Sequence, residues 1–510
     1  MTSRLSLSPL GLVAGLGLFA TGCTSNDMAG ASMSVGQGGS QDFGAFRQIL
    51  DEGGIPGPST IDDVGFFAEH VIELPEAECA DDVCVHGVLG MMGNMIDGSD
   101  CTVVLLGLNS TVDLDAMERP PLNLALAVDT SGSMAGDSMA WTITGLLSMV
   151  DSLEPGDRVT LVDFDTRAEV LIEHAVAGDD DEALIAAINS LSAAGGTNIH
   201  DGLAEAFESV AELAVEDMQN RVILLSDGLA TSGNTDSGDI LALAEAHTEA
   251  GIGLTTIGMG SDFDIDLMRD LAEAGAGAFY FLEDPSAVEE VFVEEVETFL
   301  VPLGQDASID LDVSDQYTLR NVFGTTDHFI EGNHASIDIP LLQAALRTSD
   351  DDNEAGRRGG GMTVIAEMIP NEGAEAGQVG HVGFSYTEVS SAEIKDQEVL
   401  VESPINPDAV GVEGEFLDPS VEKAFVMLNI YVGFEMAAAF ALEGNDDAAL
   451  QTLYRLCRGV NAWLGANDDA DIADDLVYVD RFIENLERRQ PADWDMDWEG
   501  GGWSIWWIFD

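Results

Sequence analysis

The sequence predicts a multidomain α/β protein. A doubly wound parallel-sheet domain is inserted in or followed by a β-sandwich, and a small C-terminal helical bundle completes the chain. Three observations carry this. From Pro120 onward, apolar runs of strand length alternate with helical segments, which builds a parallel sheet with helices on both faces. Beyond Leu303 the pattern turns to alternation with period two, in ASIDLDVS, HASIDIPLL, MTVIAEMI, HVGFSYTEV and EVLVES, as antiparallel strands require. Asp418-Pro419-Ser420 then opens a helical segment, since Asp can cap a helix and Pro suits its first turn. At 510 residues the chain is too long for one ordinary core.

Taken in order, residues 1–22 read as a targeting segment. Arg4 supplies the positive charge. Leu5 to Ala20 is apolar but too short and Gly-rich for a stable span, and FATGC runs small residues into Cys23. This resembles a bacterial lipoprotein signal, which implies that Cys23 is lipidated and ties the chain to a membrane without crossing it. Thr24 stands where an acidic residue would hold such a protein at the inner membrane, so the outer membrane of a cell envelope is the expected location. Residues 23–65, rich in Gly and Ser and without period, read as a flexible tether, with folding starting near Phe66. Residues 66–118 form a β-rich flank in which CTVVLLGLNSTVD is a strand. Cys79, Cys84, Cys101 and Cys457 make an even number in an exported chain, which predicts disulfides of open connectivity. Cys79 and Cys84 bracket a small loop; with only His86 near them, they make a poor zinc knuckle.

Residues 119–303 hold the parallel-sheet domain, with LNLALAV, RVTLVDF, RVILLS, GLTTIGM and AFYFL as strands and AEVLIEH as an edge strand. Ligand loops of such sheets gather at the carboxyl ends of the strands. There DTSGS supplies Asp129, Ser131 and Ser133, GGTNIHDG supplies Thr197, and LLSDG supplies Asp227. Two carboxylates and three hydroxyls, with no Cys or His, are hard donors. They select Mg2+ first, with Ca2+ or Mn2+ as alternatives, over zinc. Two Asp balance the divalent charge and the neutral hydroxyls add none, so the metal stays electrophilic toward an outside carboxylate. In SDFDID the Gly and distal Glu of a calcium loop are missing, and Asp262 reads as a helix cap.

DTSGS, GGT and LLSDG, in this order and spacing, resemble the metal-ion-dependent adhesion site of von Willebrand factor type A domains. The resemblance implies that Asp129, Ser131, Ser133, Thr197 and Asp227 hold a divalent cation, that a protein ligand completes its coordination with a carboxylate, and that the domain is not an enzyme. The wider order, with GMGSDFDIDLMRDLAEAGAGAFYFL ahead of a β-rich region, is similar to bacterial relatives of the inter-α-trypsin-inhibitor heavy chains and of calcium-activated chloride-channel-like proteins.

Residues 304–417 are the sandwich-like region. The strand at 101–113 and ASIDLDVS flank the parallel-sheet domain and are expected to pair, which would make that domain an insertion. Residues 418–488 are helical. AFVMLNIYVGFEMAAAFAL is apolar enough to pass for a membrane span, but Glu435 in its middle marks a buried helix. Residues 489–510 form an acidic tail with five of the seven Trp, either an exposed tag or a cover for an apolar groove. The net charge of −76, from 94 acidic against 18 basic residues, excludes nucleic acid as a partner and suits a solvated surface in a salty habitat. The expected protein is a lipid-anchored envelope protein that binds a macromolecule through its metal site. A scaffold partner of an envelope ATPase or transporter is the alternative. A hydrolase is the weaker one, since no residues supply its nucleophile or its acid–base pair.

Overall fold

The computed structural model describes residues 33–110, 112, 120–214, 218–227, 229–260, 264–282, 287–288, 291–292, 302–344 and 361–489. The targeting segment, Cys23, Asp262 and the Trp-rich tail lie outside them.

The described chain begins with two short strands, β1 (Met33–Gln37) and β2 (Gly39–Ser40), which belong to different sheets. A hairpin of β3 (Val83–Gly93) and β4 (Asp100–Ser110) follows. The α/β domain comprises β5 (Leu122–Asp129), β6 (Arg158–Phe164), β7 (Ala168–Val176), β8 (Gln219–Ser226), β9 (Gly253–Met259) and β10 (Ala278–Leu282). Its sheet runs β2-β10-β9-β8-β5-β6-β7. Neighbours pair in parallel except β7, which returns antiparallel on β6 as the edge. Every residue of β5 is buried, as expected of a parallel strand covered on both faces. Leu124 and Leu126 meet Leu146 and Met149 of the helix Asp137–Ser152, while Ala125 and Ala127 meet Leu203 and Phe207 of the helix Ile199–Leu213.

The remaining strands are β11 (Pro302–Val313), β12 (Tyr317–Phe323), β13 (His328–Glu331), β14 (His334–Ala344), β15 (Thr363–Pro370), β16 (Gly377–Glu388), β17 (Ile394–Ser403) and β18 (Glu415–Phe416). With β1, β3 and β4 they form one antiparallel system ordered β12-β15-β4-β1-β14-β11-β16-β17, with β3, β13 and β18 attached. Its two halves face each other over a shared apolar cluster that includes Leu89, Val104, Leu106, Ile309, Ile337 and Val382. A Cβ on Gly87 of β3 would lie 3.0 Å from Val401 and 3.2 Å from Val382 of the opposite half. The alternate residues Val103 and Leu105 point the other way, into the helical layer.

That layer is built on the helix Pro419–Leu442, capped by Asp418, whose carboxylate accepts the Ser420 N–H at 2.9 Å. The helix is long and apolar enough to cross a membrane, yet 83% of its apolar stretch is buried inside the fold. The helices Asp446–Leu464 and Ala470–Arg489 pack beside it.

Four expectations need correction. Residues 33–65 are not a tether. Val35 is fully buried in the sandwich, and Phe43 and Phe46 are buried in the helical core. Gly/Ser composition concealed a short strand, MSVGQ, that Val35 anchors in the core. For the same reason β4 and β11 do not pair: β1 and β14 lie between them. Cys79 and Cys84 form a disulfide, but Cys101 and Cys457 are free thiols. Cys101 lies buried on β4 against Glu367, and Cys457 faces Asp480 from a helix. Burial, then a neighbouring carboxylate, pushes each thiol up and keeps it protonated. Finally, the cap of the helix Ile265–Ala274 is Asp264, whose side chain accepts the Leu267 N–H.

Candidate metal centre

β5 delivers Asp129 at its carboxyl end, fully buried where the chain turns away from the sheet. Oδ1 of Asp129 accepts the Ser131 N–H at 2.8 Å, and its Oδ2 accepts the Ser226 hydroxyl at 2.6 Å. Ser226 ends β8, so the adjacent parallel strands are tied at their tips. The Ser131 and Ser133 hydroxyls lie 3.0 Å apart, and Ser133 donates to Asp227 Oδ1 at 2.8 Å. Four of the five expected ligands therefore form one continuous oxygen chain: Asp129 to Ser131 through the backbone, then Ser133 and Asp227.

Thr197 arrives on a separate loop. The Gly195 carbonyl accepts the Gly132 N–H at 3.2 Å, and Ala194 N–H donates to the Thr130 carbonyl. On the other side, Thr197 N–H donates to Thr231 Oγ1 at 2.9 Å, and its carbonyl accepts from Thr231 and Ser232. The Thr197 loop is thus clamped between the loop carrying the serines and the loop that follows Asp227. Gly195 adopts φ +80°, and a Cβ there would lie 2.4 Å from Asp165 Oδ2, so the loop passes only without a side chain. Asn198 caps the helix Ile199–Leu213 by accepting the Asp201 N–H.

Burial dominates the electrostatics. It pushes the Asp129 carboxyl above its ordinary value, against hydrogen bonds from Ser226 and Ser131. It takes Asp227 up to about 6, with the nearby Asp129 charge adding and the Ser133 hydrogen bond opposing. Neither carboxylate has an ion-pair partner among the described residues. Two buried carboxylates facing each other without a cation are costly, and a divalent ion between them would remove that cost. Two carboxylates plus three hydroxyls form a donor set that fits a hard, oxygen-liking cation and offers nothing to a soft one.

Some supporting residues did not stand out in the sequence. Ser226 sits in LLSDG beside Asp227, and its bond to Asp129 was not legible in the sequence. Asp163, which accepts from the Thr130 hydroxyl, and Thr231 carry no motif; they act only because their loops converge. His200 lies beside Asp201 and His86 pairs with Asn109, so neither joins a metal set. The Ser131 and Ser133 hydroxyls bond each other and Asp227, the pattern of ligands and not of a base-activated nucleophile.

Residues 123–294 match the family model of the von Willebrand factor type A domain. This part of the chain is such a domain, on a Rossmann-like mixed sheet. An uncharacterized protein, sll0103, from Synechocystis is 32% identical over 35% of this chain and 41% of its own length. The inter-alpha-trypsin inhibitor heavy chain H2 of Mesocricetus auratus is 25% identical over 46% of this chain and 26% of its own. The chain thus spans less than half the length of these curated relatives. Among solved structures, a von Willebrand factor type A protein from Catenulispora acidiphila aligns with TM-score 0.45 and 18% identity, over 75% of this chain and 87% of that one.

Proposed function

We propose that this chain is a lipid-anchored envelope protein that captures a macromolecular ligand through a divalent cation held by Asp129, Ser131, Ser133, Thr197 and Asp227. The observation that carries it is the facing pair of buried carboxylates, Asp129 and Asp227, joined through Ser133 and lacking an ion-pair partner among the described residues. Mg2+ suits this set best, with Ca2+ or Mn2+ next. The neutral hydroxyls leave the ion able to accept a carboxylate from a protein ligand. The anchor rests on the FATGC stretch, in which Cys23 would carry the lipid and place the protein at the outer membrane.

Calorimetry with Mg2+ on the parent and on Asp129→Ala tests the metal. The parent should bind one equivalent and the variant should not. Equal binding by both sinks the proposal. Metabolic labelling with a radioactive fatty acid tests the anchor: label should enter the parent and be lost in Cys23→Ser. A label that survives that substitution refutes lipidation at Cys23.

A further inference from the structure

A second cluster of metal-ligating side chains lies at the opposite end of the same sheet. β7 returns along β6 with a register shift. Val159 pairs with Ala175 and Leu161 with Ile172, so Thr160 alone opposes both Glu173 and His174. Such a bulge re-aims side chains. Consecutive residues of a regular strand point to opposite faces, but here Glu173 and His174 converge, with His174 at φ +50°. Glu212 joins them from the last turn of the helix Ile199–Leu213. The ligand atoms of the three residues all lie within 4.8 Å of one another. His174 Nε2 is 3.9 Å from a carboxylate oxygen of Glu173 and 3.9 Å from one of Glu212.

We propose that Glu173, His174 and Glu212 form a second metal site, for a borderline divalent cation of the zinc class. The independent observation is His174 Nε2 itself: on a side chain 19% exposed, this atom is shut off from solvent and has no hydrogen-bond partner among the described residues. At 3.9 Å its carboxylate neighbours are too distant for hydrogen bonds. Bonds of about 2.1 Å to zinc put tetrahedral ligands about 3.4 Å apart, so a small closure of two exposed glutamates around an ion satisfies all three. The other ring nitrogen is already placed. Thr160 Oγ1 accepts the His174 backbone N–H at 3.0 Å and lies 3.4 Å from Nδ1. With Nδ1–H turned to Thr160, Nε2 presents its lone pair to the gap, the orientation a metal-bound histidine takes. The helix end contributes as well. Its carboxyl terminus carries partial negative charge, and its last turn holds no basic residue to neutralise it. A nitrogen with two carboxylates and an open fourth position suits zinc where the all-oxygen site does not. From Ile199 to Glu212 the helix rises about 20 Å at 1.5 Å per residue, so the two sites are separate.

The test is zinc calorimetry on the full mature chain in excess Mg2+, in the Asp129→Ala background so that the other site does not contribute. One equivalent of zinc should bind, and His174→Gln should weaken it by about tenfold or more. Co2+ in place of zinc should give a visible absorption band that His174→Gln removes. Glu212→Gln, on a different element, should weaken zinc as well and carries the test if His174→Gln disturbs the edge strand. Zinc affinity unchanged by both substitutions, or no zinc equivalent in the parent background, overturns the proposal.

Discussion

The two ends of the seven-stranded sheet gather metal-ligating side-chain types by different means. At the carboxyl end, two loops leave buried strands and meet a third that opens the helix Ile199–Leu213, bringing oxygens together, and Asp129 and Thr197 are themselves buried. At the other end, an edge strand bulges and a helix terminus approaches, giving one nitrogen between two exposed carboxylates. Burial makes the first set costly without an ion. Exposure makes the two carboxylates of the second cheap without one, so its affinity depends on the buried nitrogen. Donor chemistry follows position: parallel strand tips present loops rich in Asp and Ser, while the edge presents whatever side chain a bulge can turn.

The largest expected effect separates the two ends directly. Asp129→Ala should lower Mg2+ affinity at least about a hundredfold, or ~2.7 kcal/mol, while circular dichroism stays unchanged. Zinc binding through His174 should persist in that variant, and its absence there would overturn the second site. Gly195→Ala comes next. It forces a side chain onto φ +80° against Asp165, a strain of roughly 1–3 kcal/mol. It should lower both the melting temperature and Mg2+ affinity, and an unchanged Mg2+ isotherm would show that the Thr197 loop does not need its present path. Thr197→Ala should reduce ligand capture more than Mg2+ uptake, because its loop is held by backbone bonds that the substitution leaves in place.

A smaller effect tests half-buried carboxylates that belong to neither end. Asp63 is raised to about 7 and Glu435 to about 8, burial being the main cause in both, with Arg269 too weak to offset it at Glu435. Both folded values exceed the unfolded ones, so the folded state holds these protons more tightly. Stability should therefore fall as pH rises from about 4 to about 8, the full cost being present only above that. Glu435→Gln should flatten that decline in thermal melts; a decline equally steep in the variant would place its cause elsewhere. The smallest effect is Glu208→Gln, on the exposed face of the helix that connects the two ends. It should change neither Mg2+ nor zinc isotherms, which separates specific ligands from the general negative charge.

The oxygen cluster was legible because its residues sit in short contiguous motifs, two of them directly after apolar runs, as in LNLALAVDTSGS. Its supporting bonds, such as Ser226 to Asp129, were not, because they join residues on different strands. The lower site was not legible. Glu173 and His174 lie in a run that reads as a plain edge strand, and only the two-against-one register with Thr160 turns them to one side. The free thiols were hidden for a related reason: an even cysteine count states what could pair, while the fold sets Cys101 against Glu367 and Cys457 against Asp480.

The sequence by itself determined the strand–helix alternation of the α/β domain, the buried helix around Glu435, and which oxygen-bearing side chains the three loops carry. Each follows from side-chain pattern, through periodic burial or donor type, and such patterns are local. Only the tertiary structure decided that Met33–Gln37 enters the sandwich between β4 and β14 while Gly39–Ser40, one residue later, joins the edge of the parallel sheet. Backbone N–H and C=O groups are the same in every residue type except proline, so a short strand with one apolar anchor carries no mark of its partners. Its place is set by which neighbouring edges would otherwise leave those groups unpaired.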